Sequence, residues 1–124
     1  MARLKRVLGS TTALVLASAV LSSCGSNGAL ADARASCVLV KRALVIQSQS
    51  EAPTLSAARR SALEGRAMSE LLKATPAAAD ATSLDGGWNP LMTTINESER
   101  VPLKDLVPSL TRLCAIADSS TPSL

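Results

Sequence analysis

The sequence predicts an all-α fold: a small four-helix up-down bundle, three long helices and one short, tied by a disulfide and preceded by a signal peptide. Three observations carry this. The chain is rich in Ala and Leu, the strongest helix formers, and has no Phe, no Tyr and a single Trp, so its core must be aliphatic. Nowhere does it sustain the period-2 alternation of β-branched residues that marks strands. Near its end, Leu103, Leu106, Val107, Leu110, Leu113, Cys114 and Ala117 recur at spacings of 3 and 4, the apolar stripe of an amphipathic helix.

The first helix is expected from about Ala29 to Gln49, with Cys37, Val40 and Leu44, flanked by Val38, Val45 and Ile46, forming a broad apolar side. The stretch "SEAPT" breaks it, and Thr54 or Ser56 caps the second helix, Leu55 to Ala74. Leu63, Ala67 and Leu71 share one side of that helix, with Leu72 beside them. Its other side pairs Arg60 with Glu64, Arg66 with Glu70, and Glu70 with Lys73, each contributing tenths of a kcal/mol on a solvated face. From Pro76 an Ala-rich stretch extends the helical pattern to about Ser83. "DGGWNP" is a turn, a short third helix spans about Pro90 to Ser98, and "ERVP" ends it. Pro108 interrupts the final stripe: either the last helix begins near Val107 with Pro108 in its first turn, or a one-turn helix precedes it.

The opening "MARLKR" carries Arg3, Lys5 and Arg6 and no acid, and an apolar run with small polar interruptions follows from Val7 to Leu21. A basic start and a short apolar core form an export signal, whereas a stable span needs about 20 predominantly apolar residues. No Arg-Arg pair points to a twin-arginine route.

The run ends "LSSC", Leu21 to Cys24. This resembles the lipobox of bacterial lipoproteins: an aliphatic residue, two small ones, then cysteine. The resemblance implies that the Cys24 thiol receives diacylglycerol and that a peptidase cuts before it. Residues 1–23 are then a signal peptide, 24–28 a short tether, 29–118 the helical domain and 119–124 a frayed tail. Each buried methylene contributes about 0.8 kcal/mol, and two acyl chains anchor stably where one holds marginally.

The formal charge of +3 belongs to that leader, because Arg3, Lys5 and Arg6 account for the excess of thirteen cations over ten acids. The mature chain is neutral. Nucleic-acid binding needs a basic face that neutralises phosphates, so that class is set aside.

With Cys24 given to lipid, Cys37 and Cys114 remain, each on the apolar side of its helix. An exported chain with two such cysteines points to a disulfide. Closing a loop of roughly 80 residues contributes about 4 kcal/mol in the chain-entropy model. The alternative is a pair of buried thiols acting as small hydrophobes. Redox chemistry would want a CxxC spacing or a neighbouring His, and the chain has neither.

The inventory argues against an enzyme. The chain has no His, which removes the usual triads and the commonest acid/base at neutral pH. Two distant cysteines without imidazole do not make a zinc site, and no cofactor motif is present: "DGG" lacks the spacing and Lys of a phosphate loop. Glu97 and Glu99 fall on different sides of a helix. Trp88 has two readings: a lid packed on Leu91 and Met92 at the bundle end, which is preferred, or an exposed anchor for a partner.

From "GGWNPLMTTINESERVP" to "LVPSLTRLC" the mature chain also resembles small lipoproteins of mycobacteria and their relatives. That likeness implies a lipid-anchored helical domain with an intramolecular disulfide and carries over no catalytic residue. The expected function is a non-enzymatic module on the extracytoplasmic face of the cell membrane, binding another envelope protein. The alternative is a carrier or sensor of a small apolar ligand or lipid. An apolar cavity between helices would favour the carrier, a filled core the module.

Overall fold

The computed structural model describes residues 26–122. The predicted signal peptide, Cys24 and the last two residues lie outside them. The described chain is an all-α bundle: α1 Ser26–Ser50, α2 Ala57–Leu72, α3 Thr75–Leu84, α4 Asn89–Glu97 and α5 Leu103–Ser119, with a 3₁₀ turn at Gly86–Trp88. No helix among the described residues is long and apolar enough to cross a membrane.

The longest element, α1, has 25 residues, about 37 Å of helix, and packs against α2, α3 and α5. It starts three residues before the expected Ala29, so most of the predicted tether is helical. Its buried stripe is Ala29, Ala33, Ser36, Cys37, Val40, Ala43 and Gln47, while Val38 and Val45 remain 50% and 58% exposed. Of the expected apolar side, Cys37 and Val40 lie in the core and Leu44 and Ile46 pack against it, whereas the flanking Val38 and Val45 fall outside. The reason is size: alanines let α2 and α3 approach the α1 backbone closely, and the bulkier valines are left on the outer face. Close approach recurs where Gly28 meets α3, since a Cβ built there would lie 3.3 Å from Leu84 Cδ1.

Ser56 caps α2, its Oγ accepting from the Arg59 N–H at 3.2 Å. Helix α2 stops at Leu72, and the Ala-rich stretch forms a helix of its own. Pro76 causes this, having no N–H to return to the Leu72 carbonyl four residues back. The junction is stitched to α1 by buried Ser36, whose Oγ donates to the Ala74 carbonyl at 3.0 Å. On α2 the Glu70–Lys73 pair forms at 3.0 Å. The expected Arg60–Glu64 and Arg66–Glu70 pairs do not form among the described residues: Arg60 instead donates to the Ala52 carbonyl at 3.3 Å.

Neither expectation for Pro108 holds, because α5 is one helix from Leu103 with Pro108 inside it. An internal proline costs about 3 kcal/mol. Burying Leu103 and Leu106 ahead of it returns about 2 kcal/mol each, enough to keep the first turn helical. Leu71, Leu91, Ile95 and Leu110 fill the centre together with the alanines.

Candidate functional site

Of the residues singled out in the sequence, the structure joins two. Cys37 of α1 and Cys114 of α5 form a disulfide with Cα atoms 5.5 Å apart, both side chains enclosed in the core. It is a structural tie, shielded on every side. Trp88 is half-buried and packs against the core, as does neighbouring Met92. Cys24 lies outside the described residues. No group of three or more His, Cys, Asp or Glu side chains among the described residues is placed to hold a metal ion.

The disulfide sits within a closed seam. Arg34 on α1 reaches the last turn of α5, where its Nε donates to the Ala117 carbonyl at 3.0 Å. A second guanidinium nitrogen donates to the Ser120 carbonyl. The last four carbonyls of a helix lack intrahelical donors, and here a cation supplies one of them, Ala117, and the carbonyl of the capping Ser120, at the negative end of the helix dipole. Two turns further along α1, Lys41 pairs with Asp118. The chain expected to fray is held at its start.

The other end of the same helix pair is open. A cleft of about 390 Å³ lies between Gln47 on α1, Glu64 and Met68 on α2, and Pro102, Leu103 and Lys104 at the start of α5. A second, of about 340 Å³, lies between Leu44, Gln47 and Ser48 on α1, Glu51 just beyond its end, and Lys104, Val107 and Pro108 on α5. Gln47 and Lys104 line both, so the clefts meet at a waist between them. Each volume falls in the range of small-ligand sites. A third, shallower hollow lies on the outer side of α1, lined by Lys41, Arg42, Val45, Ile46 and Glu70.

Gln47 is the unusual residue in this groove. Only 4% of its surface is exposed, yet its carboxamide makes no hydrogen bond to the described chain. Among those residues the only fully enclosed side-chain polar atom without a partner is Arg60 Nε. The Gln47 amide therefore retains its opening onto the groove. Beside it the α5 N-terminus carries no side-chain cap, because Pro102 stands at the capping position. The first N–H groups of a helix have no intrahelical acceptor, so Leu103 and Lys104 keep free donors. Pro108 in turn leaves the Lys104 carbonyl without the donor it would find in an ordinary helix. Glu51, Glu64 and Lys104 are exposed and form no ion pair among the described residues.

Sequence reasoning missed this groove. The available signal was Gln47 itself, seven residues after Val40 and four after Ala43 on the buried face. No protein family model, curated protein or solved structure matches this chain.

Proposed function

We propose that this chain is a lipid-anchored cell-envelope protein. It is exported by residues 1–23, acylated at Cys24, and acts without catalysis as a helical interaction module on the extracytoplasmic membrane face. The observation that carries the reading is the "LSSC" motif ending at Cys24, one glycine before α1 begins at Ser26. Supporting it, the Cys37–Cys114 bond suits an oxidising compartment outside the cytoplasm. The clefts lie at the surface and the centre of the bundle is filled by Leu, Ile and Ala, which favours a docking module over a carrier with an internal chamber. Gln47 lies about 31 Å along α1 from Ser26, so the groove is at the end of the helix away from the anchor.

The test is a native mass spectrum of the protein extracted from its own membrane in mild detergent without reductant. The expected result is a chain beginning at Cys24 with a diacylglyceryl adduct, two hydrogens lighter than the dithiol form, and accompanied by a larger protein complex. Retention of residues 1–23 with an unmodified Cys24 would overturn the anchor. A bound apolar mass without protein partners would replace the module with the carrier.

A further inference from the structure

We infer that the groove at Gln47 binds an extended peptide segment with a basic side chain. The inference deepens the reading of this chain as an interaction module and rests on it. Three features point to an amide backbone as the occupant. A buried carboxamide offers one acceptor and two donor hydrogens, the complement of a peptide unit, and that of Gln47 is unused within the described chain while opening onto both clefts. The α5 start adds donors at the Leu103 N–H and at the Lys104 N–H, neither with an acceptor inside its own helix. With the Gln47 carboxamide, donors and an acceptor thus belong to the residues that line one groove. An anion would use only the donors.

Charge separates the remaining candidates. Glu64 flanks the waist in one cleft and Glu51 in the other, both exposed and without ion pairs among the described residues, while Lys104 is the single cation. That balance repels a carboxylate-headed lipid and attracts Lys or Arg on a peptide. Met68 on one side, and Leu44 with Val107 on the other, supply apolar surface for side chains next to the bound amide.

The experiment uses the full acylated chain, labelled with ¹⁵N, in mild detergent. The blocked peptide acetyl-Ala-Leu-Ala-Lys-amide is titrated to millimolar concentration, with acetyl-Ala-Leu-Ala-Glu-amide and laurate run in parallel. The Lys peptide is expected to shift the Gln47 side-chain amide and the Leu103 and Lys104 backbone amides saturably, and more than the other two probes do. Gln47→Met should weaken that binding at least about tenfold, the loss of roughly one good hydrogen bond, without lowering the melting temperature. Because Gln47→Met changes a buried position, a surface variant gives an independent check: Glu51→Lys with Glu64→Lys should reverse the preference toward the Glu peptide. Absence of a saturable shift with the Lys peptide would overturn the proposal. So would laurate moving the same amides more strongly, or Gln47→Met binding as well as the parent. If the groove fails while the native mass spectrum still shows a protein complex, the module reading survives and the partner docks elsewhere.

Discussion

Cys37 and Gln47 are ten residues apart on α1, about 15 Å, and both face α5, yet their surroundings are opposites. At the first level every polar group that reaches across has a partner: Arg34 on the α5 carbonyls, Lys41 on Asp118, and a covalent bond between them. At the second, a buried amide, an uncapped helix start and a proline-freed carbonyl are left without partners. One antiparallel helix pair therefore has a sealed end and an end with spare bonding capacity. The difference teaches that the cross-links between these two helices are concentrated at one end, so the other end is held in place without its own polar groups being used.

The sharpest way to break this contrast is to cut the tie. Replacing both Cys37 and Cys114 with Ala releases a loop closed across a sequence separation of 77, and should lower unfolding stability by about 4 kcal/mol, read as a fall in the urea midpoint. Next comes Leu110→Ala at a fully buried position of α5 between the two ends, expected to cost about 3 kcal/mol in the same assay. Arg34→Met keeps the aliphatic stem but removes the α5 C-terminal cap, and should cost about 1.5 kcal/mol by thermal melting. Gln47→Met at the open end should change stability in the other direction, raising it by up to about 1 kcal/mol. Asp118→Asn should lower stability by less than about 1 kcal/mol, because its ion pair with Lys41 is half exposed, and added salt should erase the difference. If Gln47→Met and Arg34→Met moved stability the same way, the division into sealed and open ends would fail.

Much of the fold was legible because the signals were strong and local. The 3,4-spaced stripe of α5, the Ser56 cap and the Pro/Gly breaks each act within a few residues, and Cys37 and Cys114 fell on apolar sides facing one another. What failed depended on relative size and on distant partners. Val38 and Val45 were read as flanking a broad apolar side, yet the alanine face of α1 packs more closely and leaves them exposed. Pro108 was read as a boundary, but tertiary burial of Leu103 and Leu106 outweighed the local penalty. Arg34 and Ser36 act on Ala117 and Ala74, 83 and 38 residues away, and no local pattern announces such bonds. The groove was hidden for the same reason. Its three walls come from α1, α2 and α5, and only the position of Gln47 on a buried face hinted at it.

The placement of the disulfide also decides how this chain carries tension. Pull on α1 from its first residue and on the chain beyond α5, and the load passes from Cys37 directly to Cys114. The intervening chain, roughly 260 Å if it were stretched out, stays slack. The whole groove, from Leu44 through Met68 to Pro108, lies within that bypassed stretch. A mechanical strain on the two ends would be borne by one covalent bond, and the shape of the open end would be insulated from it.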